Sequence, residues 1–154
     1  MTADTPRDKA EVVWPFVLAA LLSLVGLADA IYLTVEHLTG ASLRCTIISG
    51  CSEVLSSPYA HIGSVPLAAV GAAAYFLVFS LAVLAVFRYP LVQLLLSIVV
   101  VLMFLTTLGL LYLQAFVIHH FCQYCLLSAA VTTGLFVILA IDKIVTKRAK
   151  PQNS

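Results

Sequence analysis

Four long apolar blocks, at about 12–35, 65–87, 91–118 and 122–141, take up most of a chain of 154 residues. Each matches or exceeds the roughly 20 helical residues that cross a hydrocarbon core. The chain is 62% hydrophobic and 10% charged, where soluble proteins carry about 25% charged residues. A water-soluble domain of this length has no interior large enough to hide that much apolar surface. The expected fold is therefore an all-α membrane protein, a bundle of four transmembrane helices forming a single domain over 1–154. Ahead of the first block lies a mixed-charge stretch (Asp4, Arg7, Asp8, Lys9, Glu11) with no small-residue cleavage site. That block reads as a retained span and not as a removed signal.

Charge placement gives the bundle an expected orientation. With four spans, both termini and the short Arg88-Tyr89-Pro90 turn share one side. That side carries Arg7, Lys9, Arg88, Lys143, Lys147, Arg148 and Lys150, and the opposite side carries only Arg44. Such a bias places the termini in the cytoplasm. The 36–64 loop and the His119-His120 connection then face outward: the periplasmic or extracellular face in a bacterium, the lumen of the endoplasmic reticulum in a eukaryote. Disulfides persist in both compartments. A formal net charge of +1 gives no reason to invoke nucleic acid.

All four cysteines fall on that outer side, in two close pairs. Cys122 and Cys125 stand at i and i+3 at the mouth of the last span, so a helix brings both sulfurs to one face. Unpaired N–H groups and the macrodipole at a helix N-terminus favour a thiolate. Register places Cys125 one turn deeper and leaves Cys122 nearer the water. Cys45 and Cys51 lie in the outer loop, whose breakers are Gly40, Gly50, Pro58 and Gly63. Its apolar content argues against disorder, and a short helix around Cys51–Ser56, lying on the membrane surface, is expected. Paired spacing and common sidedness favour thiol–disulfide exchange, each step of which passes through a mixed disulfide. Three other readings use the same residues. One is a pair of purely structural disulfides in a non-enzymatic tetraspan protein. Another is a zinc site drawing on His119 or His120, and the last is a set of inert buried thiols.

The segments Asp29-Ala-Ile-Tyr-Leu-Thr34, Cys45, Cys51-Ser-Glu-Val-Leu-Ser-Ser57, Gly63-Ser-Val-Pro-Leu67 and Phe121-Cys-Gln-Tyr-Cys125 together resemble the vitamin K epoxide reductase family, in order and over nearly the whole chain. The resemblance implies a four-helix bundle around a quinone pocket, capped by the cysteine loop. It assigns Cys122 and Cys125 as the active-site dithiol, with Cys125 facing the quinone, and Cys45 and Cys51 as the pair that relays electrons from an external thiol protein. DsbB-type proteins run similar chemistry with the order of the two pairs reversed. Many bacterial members carry a fused thioredoxin-like domain. This sequence stops about ten residues after the fourth span, which implies a separate periplasmic DsbA-like partner. Where vertebrate members have Thr-Tyr-Ala, this chain reads Leu127-Ser128-Ala129-Ala130, without the tyrosine. The expectation is thus a bacterial-type enzyme of the inner membrane, active on its outer face. It would reduce menaquinone, ubiquinone or phylloquinone without a metal, with vitamin K epoxide reduction proper as the alternative.

A few further residues carry weaker expectations. Asp29 is the only acid well inside a span, where acids are costly and often functional. It either bonds the quinone end of the pocket or acts as a structural cap. Ser56 and Ser57 either line the pocket mouth or end a helix. Arg44 tunes Cys45 or is simply solvated. His119 and His120 assist proton transfer or are interfacial. Tyr59 and Tyr124 fit an aromatic belt, and Gly71, Ala72, Ala73 and Ala74 permit close helix packing.

Overall fold

The computed structural model describes residues 6–40 and 50–149; the expectations for Arg44 and Cys45 lie outside the described residues. Helix α1 spans Pro6–Thr39, a five-residue α2 spans Cys51–Leu55, and a single 3-10 turn covers Pro58–Ala60. Two short strands follow, β1 (His61–Ile62) and β2 (Val65–Pro66), paired antiparallel with Ile62 opposite Val65. Helices α3 (Leu67–Ala85), α4 (Pro90–Leu113) and α5 (Gln123–Ala149) complete the chain, with one π turn at Gln114–Ile118 closing α4.

Four helical stretches are long and apolar enough to cross a membrane: Val13–Thr39, Leu67–Ala85, Pro90–Ile118 and Gln123–Arg148. The chain is an all-α bundle of four membrane-spanning helices. Around the bundle, α1 packs on α3 and α5, and α4 closes the ring against the same two helices. Small residues let the helices approach, since lipid supplies no hydrophobic force to drive them together. A Cβ on Gly71 of α3 would stand 4.0 Å from the Cβ of Ala30 on α1. At Gly26 there is no room at all, because the Tyr75 ring occupies the space a Cβ would need. The central cluster includes Phe16, Tyr75, Val78, Leu96, Val100 and Leu135. Leu21, Phe76, Leu102 and Ile141 are among the large apolar residues facing outward, as befits helices whose solvent is lipid.

At the ends of the spans, local chemistry sets the turns. Pro90 begins α4 after Tyr89 in extended backbone, a position where its missing N–H costs nothing. At the other end of α4, the π turn leads into His119 at φ 57, and the chain reverses straight into Cys122 and α5. The last helix continues beyond Ile141 through Lys147 and Arg148, cations suited to a helix C-terminus.

Helix α2 is too short to persist alone. It is held by Cys51 and Val54, both buried, which pack with Leu33 of α1 and with Cys122 in a second cluster beneath the loop. Gly50 makes that contact feasible. Its φ of 146 suits glycine alone, and a Cβ there would come within 2.9 Å of the Phe121 carbonyl oxygen.

Candidate functional site

The Cys122 side chain sits where α5 begins, immediately outside the last span. Its backbone carbonyl accepts the first helical hydrogen bond from Leu126 N–H at 3.0 Å. Its sulfur accepts the Cys125 N–H at 3.4 Å, occupying the place a serine or aspartate oxygen takes in an ordinary N-cap. Cys122 and Cys125 are both free thiols. The Cys125 thiol hydrogen-bonds the Cys122 sulfur, and the Cys125 and Tyr124 backbone groups add to it. Against the cost of burial, these interactions pull the Cys122 thiol down to about 7 from an ordinary 9.0.

Cys122, expected as the sulfur nearer the water, is itself 0% exposed, whereas Cys125 is half-buried. The reason is tertiary. Helix α2 packs on the π turn, with Gly50 against His120 and Phe121 just before α5, so that Cys51 and Cys122 share one buried cluster. Cys51 is 1% exposed and disulfide-bonded.

One turn further along α5, Cys125 opens onto a cavity of about 160 Å³ at the end of the bundle nearest α2. Its walls are mostly apolar, drawn from Leu33, Val54, Leu55, Leu110 and Ile118. A cavity near 150 Å³ holds a benzene-sized ring. Polar groups enter it at a few points: Asp29, His37, Ser57, Tyr59, Tyr75, Gln114 and Ser128. Asp29 is 8% exposed, and its Oδ2 is buried without a hydrogen-bond partner. The Tyr75 hydroxyl lies 3.0 Å from the Ser128 carbonyl oxygen, to which it donates, 2.7 Å from Ser128 Oγ and 2.9 Å from Thr132 Oγ1.

Of the two serines expected at the pocket mouth, Ser57 lines the cavity, with its hydroxyl donating to the Val54 carbonyl at 2.7 Å. Ser56 does not: it is exposed and donates to the Glu53 carbonyl at 3.3 Å. The two are adjacent where α2 ends, so they point to opposite sides. His119 and His120 are exposed and outside the cavity lining. Tyr124 is half-buried against Tyr32, with ring centroids 5.2 Å apart. Among the described residues, no group of three or more His, Cys, Asp or Glu is placed to hold a metal ion.

Two contributors escaped the sequence reading. Gln114 is 4% exposed inside the π turn, lines the cavity, and accepts the Cys122 N–H through Oε1 at 3.4 Å. π turns interrupt helices frequently at functional sites, but their position is invisible to a pattern of apolar residues. Tyr75 is a buried aromatic in an apolar run and looks like any core residue until its hydroxyl partners are seen.

The vitamin K epoxide reductase family matches residues 17–140 of the chain. The chain belongs to that family. The match spans α1 from within its first apolar turns to the inner half of α5, and so takes in both cysteine pairs and every wall of the cavity. Membership in this vitamin K epoxide reductase family makes the protein a membrane oxidoreductase. No curated protein matches the chain.

Proposed function

We propose that this vitamin K epoxide reductase family member is a quinone-dependent thiol oxidoreductase that forms disulfides in exported proteins. The observation that carries the reading is the order of sulfurs through the fold: Cys51 shares a buried cluster with Cys122, and Cys125 one turn on borders an apolar cavity. A wholly structural role for the cysteines leaves the cavity and the two free thiols beside it unexplained.

The cavity suits a quinone in size and polarity. Its volume matches one ring, its walls are apolar, and Asp29 presents an oxygen that has no protein partner. Cys125 and Ser57 would flank the ring, and Asp29 would face it without being needed to hold it. A bound quinone supplies an acceptor for two electrons and two protons.

In this scheme a reduced, DsbA-like thiol protein attacks a Cys45–Cys51 disulfide at Cys45. The freed Cys51 thiolate attacks Cys122 of a Cys122–Cys125 disulfide, and Cys125 leaves as the thiolate. The partner's second thiol then attacks the mixed disulfide, leaving with its own disulfide and freeing Cys45, and the Cys45 thiolate displaces Cys122 from Cys51, which restores the outer disulfide and leaves the inner pair reduced. Burial of the Cys51–Cys122 contact excludes water and soluble thiols from the exchange. The arrangement seen here, with Cys51 disulfide-bonded and both inner thiols free, fits the stage at which electrons have reached the inner pair. We place the protein in a bacterial inner membrane with this site outward, on the charge bias of the loops.

The test is quinone-dependent oxidation of a partner dithiol in membranes, with Cys122→Ala and Cys125→Ala as variants. Each is expected to lower the rate by at least a hundredfold, and normal rates in either variant would sink the scheme. Running vitamin K epoxide beside quinone separates the two substrate readings, with quinone expected to be the faster substrate.

A further inference from the structure

Among the described residues around the cavity, Asp29 alone has a buried side-chain oxygen with no hydrogen-bond partner. Ser57 is satisfied by the Val54 carbonyl, Gln114 by the Cys122 N–H, and Tyr75 by Ser128 and Thr132. Burying a carboxyl group more than nine-tenths and leaving one oxygen unpaired is expensive. Sequence alone does not demand it, because the neighbouring positions of α1 are filled by alanine, leucine and isoleucine. Asp29 also borders the same space as Cys125. Unlike the hydroxyl and amide groups around the cavity, the carboxyl takes up and gives back a proton readily; the His37 imidazole, eight residues further along α1, lies edge-on against the His61 ring.

We propose that Asp29 is the proton carrier of the cavity, passing the proton released by Cys125 to the nearer ring oxygen of the bound quinone. This rests on the quinone reading above. In the step, the Cys122–Cys125 S–S bond forms and the two electrons of the dithiol reduce the quinone to the quinol. The Cys125 proton moves to the Asp29 carboxylate and on to the near oxygen, leaving Asp29 as it began. The Cys122 proton is lost to the outer aqueous side, and the far oxygen takes one from the same side. Two thiols and a quinone thus become a disulfide and a quinol.

The experiment uses the full chain in lipid nanodiscs, with dithiothreitol as donor and menadione as the quinone. For Asp29→Asn the expected result is a fall in kcat of about a hundredfold, the lower end for loss of a general acid–base group. KM for menadione, and menadione's protection of Cys125 against alkylation, stay within threefold. Asp29→Glu recovers most of the rate. In time-resolved infrared spectra a carboxyl band that appears and decays as menadione oxidises the dithiol is expected in the unmutated protein, absent in Asp29→Asn and shifted in Asp29→Glu. The proposal is overturned if Asp29→Asn keeps kcat within threefold, if it loses protection in step with rate, or if the band survives the substitution. Should Asp29→Asn not fold, an unshifted band in Asp29→Glu overturns it equally. Failure of the quinone reading appears separately: menadione then neither protects Cys125 nor oxidises the dithiol in the unmutated protein.

Discussion

At the scale of single residues, two adjacent thiols differ because of what touches them. Cys122 accepts hydrogen bonds from the Cys125 thiol and N–H, so its thiolate form is favoured and its value drops to about 7. Above that pH it is the thiolate, and below it the thiol. The ultraviolet thiolate absorbance of the reduced protein should therefore rise with a midpoint near 7. In Cys125→Ala, which removes the largest cause, the midpoint should move up toward the ordinary thiol value of about 8.5. Gln114 offers a second check. Gln114→Leu leaves the buried Cys122 N–H unpaired, which costs about 1–3 kcal/mol, and thermal unfolding in detergent should register the loss. Cys122 and Cys125 were legible in the sequence from their spacing as two thiols close together at the start of one helix. Gln114 was not, since nothing in the local pattern tells a buried amide bonded to a distant backbone from one facing solvent.

Among the elements, α2 and the Gly50 turn before it decide whether the outer cysteine loop reaches the inner pair. A side chain at Gly50 meets the Phe121 carbonyl and carries the strain of a φ of 146, a cost of about 1–3 kcal/mol. Gly50→Ala should therefore lift α2 from the start of α5. Trapping of a Cys51–Cys122 mixed disulfide, measured in a Cys45→Ala, Cys125→Ala background, should slow at least tenfold; an unchanged rate removes Gly50 from the exchange. The short helix was foreseeable from its apolar residues and breakers. That it buries Cys122 was not, because the contact joins residues some seventy positions apart and depends on a reversal through His119 in left-handed backbone.

For the molecule as a whole, the cavity side and the Arg88 side of the bundle should face opposite compartments. In a chain otherwise lacking reactive surface thiols, a cysteine placed at His120 should label with a membrane-impermeant maleimide from outside intact cells. One placed at Arg88, which lies in the α3–α4 turn, should label only after the membrane is opened. The reverse pattern would overturn the orientation drawn from the loop charges.

The sequence by itself determined that the chain lives in a membrane and crosses it four times, because backbone polar groups in hydrocarbon must be satisfied within helices and only long apolar blocks meet that demand. It also determined which residues are chemically capable of thiol exchange, since spacing along one helix is a local property. Tertiary structure alone decided that Cys122 is covered and Cys125 opens to the cavity, that Ser57 lines that cavity and Ser56 does not, and that Asp29 has an oxygen left without a partner. Each of these depends on which distant helix or loop lies against a given face, and packing of that kind leaves no periodic trace in the order of the amino acids.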